Sequence, residues 1–215
     1  MKKMIGYIKL LGNTRFLVRR LQRRFIAAQI KGKKFSTVVD IGAGQAPYRR
    51  MITCDKYIGV DIEDRGGLPD ILVEDINNGL SLADRSADLV LCTEVIEHVR
   101  DPKAVMRELH RILTTGGMLL LTTPMTWPLH EAPNDFYRFT NFGLLYLSKE
   151  AGFQDVHIEG SNGHLYSLLS LSILRMRSYL FFPVVVLVNL LCYAVFRFEK
   201  DRTLPLVEHM VAHKS

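Results

Sequence analysis

Cysteine is scarce, with three in 215 residues (Cys54, Cys92 and Cys192), no CxxC pair and no Cys/His ligand spacing. That excludes a disulfide framework and leaves no metal site to expect, and two of the three lie in apolar runs, as suits a reducing compartment. Acid is missing from residues 1–34, which carry eleven Lys/Arg; the rest holds 17 basic and 22 acidic residues. The overall charge of +6 therefore belongs to an N-terminal arm, and the remainder is mildly acidic. A cationic catalytic domain is excluded, and an anionic surface is expected to meet the arm. The opening "MKKMIGYIKLLGNTRF" lacks a long apolar core and a small-residue cleavage site. No secretory signal is expected, and a cytoplasmic location follows.

Phosphate-binding signatures are missing too. "VVDIGAGQAPYRRM" (38–51) reads as a buried strand, a glycine turn and then a helix. A dinucleotide fold wants G-x-G-x-x-G, but after Gly42 and Gly44 the third place is Pro47. There is no Gly-Lys-Ser/Thr ending, and Asp40 stands two residues before the first glycine. A carboxylate there repels a pyrophosphate and suits a cationic ligand.

What is present falls into zones. Residues 1–34 form the arm, in which Thr14 can cap a helix reaching Ile30. Leu17, Val18, Leu21, Phe25 and Ala28 share one side, with Arg15, Arg19, Arg20, Arg23 and Arg24 opposite and Phe16 and Ile26 off the pattern. Two readings stand: a helix lying on an anionic membrane surface, or one packed on the main domain with a solvated basic face. Nucleic acid is not expected, because the aromatics are not interleaved with the basic residues. From 35 to 163, strands at 57–62, 70–75, 87–94 and 118–124 alternate with helices. Asp101-Pro102 starts one helix, stopped by Gly116-Gly117; Thr140 caps another, which leads to "QDVHIEG". This alternation predicts an α/β, doubly wound parallel sheet.

The strand ends carry acids. Asp61 ends the second strand, where a carboxylate accepts from both ribose hydroxyls, and Asp75 ends the third, within reach of an adenine amino group. Glu94 and His98 follow the fourth. Acids at the ends of strands one, two and three describe a pocket for a positively charged nucleoside, and S-adenosylmethionine fits.

"VVDIGAGQAPY", "YIGVDIED", "EDIN", "LADRSADLVLCTEVIEHVRDPKAVMRELHRILTTGGMLLLTTP" and "FTNFGLLYLSKEAGF" resemble the class I S-adenosylmethionine-dependent methyltransferases, most closely the methyltransferase type 11 group. The resemblance covers roughly residues 36–160. It implies a seven-stranded Rossmann-like sheet of order 3-2-1-4-5-7-6 with strand seven antiparallel, supplied by "LVEHMVAHK". It also implies that Asp40, Gly42, Ala43 and Gly44 line the methionine end of the cofactor. Asp61 and Ile62 fall at the ribose, Asp75 and Ile76 at the adenine, and Glu94 and Val95 close the pocket. Glu97 reads as surface helix, and His98 as either lining the acceptor pocket or capping local backbone.

After strand five, "PMTWPLHEAPNDFYRFT" (124–140) is long and irregular, the kind of segment that carries function. Related proteins have an H-x-x-P-x-D-F-x-R-F/Y-T stretch facing the substrate, matched here by His130, Pro133, Asp135, Phe136, Arg138, Phe139 and Thr140. The candidate catalytic residues are thus His130, His98, Asp135 and Arg138; the alternative is a structural cover with Arg138 paired to Asp135 or Glu131. Methyl transfer needs alignment, exclusion of water and, for a hydroxyl acceptor, a base such as either histidine.

Residues 178–196 run nineteen long without charge, enough by length to cross a bilayer. Crossing would leave the last strand on the wrong side of the membrane, so residues 164–200 are expected to be an apolar helical insertion, lying on a membrane or against a partner, with 201–215 as the last strand. The expectation is a peripheral or monotopic enzyme on the inner face of the membrane, acting on a small-molecule, lipid or lipid-linked saccharide acceptor. A non-catalytic cofactor-binding subunit is the alternative, and an NAD enzyme fits least, given Pro47 and Asp40.

Overall fold

The computed structural model describes residues 12–66, 68, 71–176 and 179–215. Seven strands form one sheet: β1 (Lys34–Ile41), β2 (Thr53–Asp61), β3 (Ile71–Val73), β4 (Ala87–Thr93), β5 (Leu113–Pro124), β6 (Asp155–Gly160) and β7 (Val207–His213). Their order is β3-β2-β1-β4-β5-β7-β6. β7 runs antiparallel to β5 and β6, and the other pairs are parallel. The order expected from the family resemblance is the observed one.

Successive side chains of a strand point to opposite faces, and the core divides on that rule. Val39, Ile41, Val90, Cys92, Leu119 and Leu121 face α2 (Pro102–Ile112) and α3 (Asn141–Glu150), which contribute Val105, Met106, Leu109 and Leu144. Val38, Leu89, Leu91 and Leu120 face the other way, onto Phe25, Ile26 and Ile30 of α1 (Phe16–Ile30). Asp101 accepts from Ala104 N to open α2, and Thr140 from Gly143 N to open α3, each satisfying an orphan donor of the first turn.

Three local expectations need correction. No α-helix follows the glycine loop; Arg49–Met51 is a single 3₁₀ turn, because left-handed backbone at Gly42, Gly44 and Ala46 and then Pro47 interrupt helical geometry. α2 ends at Ile112, and β5 starts at Leu113 rather than at residue 118. Thr14 does not cap α1, whose N-cap residue is Arg15.

α1 packs against protein along its apolar side. Leu17, Val18, Leu21, Phe25, Ile26 and Ile30 are buried, including Ile26, while Ala28 is exposed. The first half of α1 meets α4 (His164–Ile173) and α5 (Phe182–Val195) through Tyr166 and Cys192. Glu199 closes the start of α4 by accepting from Leu165 N at 2.7 Å. At 14 residues, α5 is about 21 Å long against the ~30 Å of a bilayer core; no described helix is long and apolar enough to cross a membrane. Residues 1–11 of the arm, Asp70 at the expected start of strand three, and Ser178 lie outside the described residues.

Candidate active site

The carboxyl ends of β1, β2 and β4 converge on the glycine loop. Gly42 N and Ala43 N donate to Val60 O at 2.8 and 3.1 Å, locking the loop to β2. A Cβ on Gly42 would stand 2.3 Å from Val95 Cγ2, and its φ is +66°, so only glycine fits. Asp61 accepts from Gly44 N through Oδ2 and from Ile62 N through Oδ1, both at 2.8 Å. Each oxygen keeps a second lone pair, and the group faces a cavity of about 290 Å³.

That cavity is lined by Gly42, Gly44, Asp61, Ile62, Asp75 and Ile76, with Glu94, Val95 and His98 across from them. Asp75 Oδ1 is taken by Asn77 N and Nδ2 at 2.9 and 2.8 Å. Asp40 and Ala43 sit on the other side of the loop, in a cavity of about 600 Å³ that shares Gly42, Gly44 and Arg65 with the first. Asp40 is 1% exposed, and Tyr57 Oη donates to it at 2.6 Å; burial pushes its pKa up to about 7. The second cavity is roofed by Arg19, Gln22 and Arg23 of α1. Their place was not legible in the sequence, where the arginines read as a solvent or membrane face.

Glu94 holds a left-handed φ of 57°, a strain of about 1–3 kcal/mol for a non-glycine residue. Thr122 Oγ1 donates to its carboxylate at 2.9 Å, and burial raises its pKa to about 7. Glu97, expected on the surface, is fully buried: its backbone oxygen accepts from Phe136 N and Tyr137 N, pinning the 124–140 segment over it. Thr123 Oγ1 donates to its Oε2 at 3.0 Å, and burial together with the Glu94 charge raises its pKa well above the usual range.

The four candidate catalytic residues separate into two pairs. His98 and His130 meet edge to face, with ring centroids 4.8 Å apart. His98 lines the 290 Å³ cavity, and its Nδ1 lies 2.7 Å from Asn134 O, so it both lines the cavity and ties local backbone. Desolvation lowers the pKa of His130. Arg138 grips Asp135 with two guanidinium nitrogens at 2.6 and 2.7 Å and donates to Trp127 O and Pro128 O. That grip holds Asp135 well below the usual carboxylate range. Asp135 also accepts from His130 N at 2.9 Å. This second pair braces the segment and orients His130; of the four, His98 alone lines the 290 Å³ cavity.

Residues 39–121 match a family model described as a methyltransferase domain. That segment and the sheet order are those of the class I methyltransferase fold. Over 98 residues, the chain is 30% identical to a ubiquinone biosynthesis O-methyltransferase of Pseudomonas entomophila, covering 46% of this chain and 39% of that one. A namesake from Pseudomonas fluorescens SBW25 is 27% identical over 124 residues, 58% of this chain and 48% of its own. The match thus spans less than half the length of these relatives. Among solved structures, a methyltransferase from Archaeoglobus fulgidus described as dependent on S-adenosylmethionine superposes with TM-score 0.61 at 21% identity, covering all of both chains. Phosphoethanolamine N-methyltransferase 2 of Haemonchus contortus, solved with S-adenosyl-L-methionine, gives 0.63 at 17% identity over 90% of this chain and 52% of that one. These likenesses carry the fold. The fit of S-adenosylmethionine to this site is tested on the residues present: an Asp61 with free lone pairs, a glycine cradle a methyl group would fill, and buried acids suited to a cation.

Proposed function

We propose that the protein is an S-adenosylmethionine-dependent methyltransferase that methylates a small-molecule, lipid or lipid-linked saccharide acceptor at a membrane surface. The observation that carries this is the set of acids around one glycine loop, Asp40 on one side and Asp61 and Asp75 on the other. Asp61 would hold the ribose, and Asp75 and Ile76 the adenine. Asp40 would face the amino group of the methionine part, with Arg19 and Arg23 supplying positive charge for its carboxylate. When bound, the cofactor supplies an electrophilic methyl group on a sulfonium.

The protein's part is to place the acceptor, exclude water and take up a proton. Residues 124–140 cover the mouth, braced by Arg138 and Asp135. His98 and His130 are the groups there suited to handle the proton of a hydroxyl acceptor, and the relatives named for O-methylation agree with such an acceptor. The membrane-facing part of the reading is supported by exposed Leu187, Leu190 and Leu191 on α5 and Leu165 and Leu168 on α4. Exposed apolar side chains grouped on two packed helices are of the kind that marks an interaction site.

Incubating the purified protein with methyl-labelled S-adenosylmethionine and separate lipid and soluble extracts tests the proposal. Label in the lipid extract is the expected result. Label only in soluble material refutes the membrane part; cofactor binding without transfer to either extract favours a non-catalytic subunit.

A further inference from the structure

Glu97, His98 and His130 each offer one metal-ligating atom, and these atoms lie within 4.8 Å of one another. Glu97 Oε1 is 3.6 Å from His98 Nε2 and 3.9 Å from His130 Nε2. Ligand atoms bound at about 2.1 Å in a tetrahedral site stand roughly 3.4 Å apart. The two carboxylate–imidazole edges therefore close with shifts of a few tenths of an ångström, and the pair of imidazole nitrogens, within 4.8 Å, closes by up to about 1.4 Å as the rings turn toward one ion.

Two independent observations point to a cation. Glu97 Oε1 is buried with no hydrogen-bond partner, although Oε2 has Thr123. An unpartnered buried carboxylate oxygen is costly, and this one is aimed between two imidazoles. Each imidazole, moreover, has its far nitrogen engaged. His98 Nδ1 meets a carbonyl, Asn134 O, at 2.7 Å, which requires an N–H there; His130 Nδ1 stands between Asp135 Oδ2 at 3.3 Å and Arg138 Nη2 at 3.4 Å. With Nδ1 protonated, neutral His98 presents its Nε2 lone pair to Glu97, and His130 turns its Nε2 to the same oxygen. Metal-bound histidines are held as His98 is, the second nitrogen donating to a carbonyl or carboxylate. Arg138 fixes Asp135 in turn.

We infer that Glu97, His98 and His130 bind one divalent transition-metal ion of the zinc, cobalt or manganese type at the acceptor mouth. Two imidazoles and a carboxylate select such ions over calcium or magnesium. Three protein ligands leave positions open, and Glu131, whose Oε2 is 3.8 Å from His98 Nε2, stands at the edge of the set. His98 and Glu131 line the same cavity as Asp61 and Gly42. An acceptor hydroxyl on an open position would lose its proton more readily; that consequence rests on the methyltransferase reading, whereas the ion site does not. The cysteine spacing gives no hint of such a site, because its ligands are adjacent residues after β4 and a histidine 32 positions on.

The test uses the untagged full chain, stripped with a chelator and titrated calorimetrically with Co²⁺, Zn²⁺ and Mn²⁺. The visible spectrum of the Co²⁺ form provides a second readout. One ion per chain with a Kd of about 1 μM or tighter is expected for at least one metal. His98→Ala and His130→Ala should each weaken binding by at least about tenfold, while His157→Ala, an exposed position on β6, should not. S-adenosylmethionine binding and a melting curve are measured on every sample. A folded wild-type chain that binds the cofactor but takes up no stoichiometric metal overturns the inference, as does uptake unmoved in both histidine variants. Metal uptake without cofactor binding supports this site and refutes the methyltransferase reading instead. If one histidine variant fails to fold, the other and the wild-type stoichiometry still decide.

Discussion

Replacing Asp61 by asparagine changes one oxygen into an NH₂ group at a position where both oxygens are in use. Gly44 N and Ile62 N each donate to one of them at 2.8 Å. Either orientation of the new amide sets its NH₂ against a backbone N–H and leaves that donor unsatisfied, costing about 1–3 kcal/mol of stability. On the ligand side, the variant loses one acceptor for a ribose hydroxyl and the charge behind the other, and a hydrogen bond to a charged group contributes about 1.5–3 kcal/mol. The dissociation constant of S-adenosylmethionine should rise by about 2–4 kcal/mol, or roughly 30- to 1,000-fold. S-adenosylhomocysteine shares the ribose and should weaken by the same factor. Calorimetric titration of both ligands, run at a temperature where melting curves show the variant folded, measures this. A folded variant binding both ligands within threefold of wild type would refute the ribose role and leave Asp61 as a brace for the loop alone.

Gly42→Ala should cost about 1–3 kcal/mol, because its Cβ would meet Val95 Cγ2 at 2.3 Å with a φ of +66°; adding Val95→Ala should recover the clash part of the loss in a denaturant melt, but not the backbone part. Stability should also fall between pH 6 and 8. Asp40 and Glu94 have folded pKa values raised to about 7, so the stability they lend is complete below their unfolded values and is lost as pH rises through 7. Each loses about 1.4 kcal/mol over that interval, which lowers the melting temperature by roughly 6–12 °C, and Glu97 and Glu208, also raised by burial, add to the fall. His209, buried and held down to about 3, acts in the opposite sense but only below its unfolded value of 6.5, outside most of this window. A melting temperature flat from pH 6 to 8 would show that these carboxyls are not buried as described.

Sequence alone carried the sheet, because parallel strands buried on both faces write continuous apolar runs. The runs around Val38, Leu89 and Leu119 show no other period. The acids around the glycine loop were legible for a related reason: they occupy fixed places at strand ends, and a charged residue closing an apolar strand stands out. The fate of α1 was not. Its arginine face and apolar stripe suit a membrane and a protein surface equally, and only the packing of Ile26 and Phe25 on β1 and β4 separates the two. Glu97 was misread because the turn after β4 places it beneath residues 124–140, a burial produced by a segment nearly forty residues later. Left-handed backbone at Glu94 likewise has no signature in residue type.

The buried stripe of α1 limits how this protein could meet a membrane. An apolar face already packed on β1 and β4 cannot also insert among lipids, so α1 itself is no anchor in the described conformation. α5 supplies what α1 lacks. Arg20 lies over the ring of Tyr193 at 4.7 Å and Arg24 over Phe196 at 5.5 Å, joining the basic face of α1 to the helix that exposes Leu187, Leu190 and Leu191. Cation and hydrocarbon thus meet along one edge, the arrangement an anionic interface favours. The same α1 brings Arg19 and Arg23 to the cavity beside Asp40. In the proposed reading one helix serves both surfaces, and a substitution that loosens its packing, such as Ile26→Ala, should disturb cofactor binding and surface contact together.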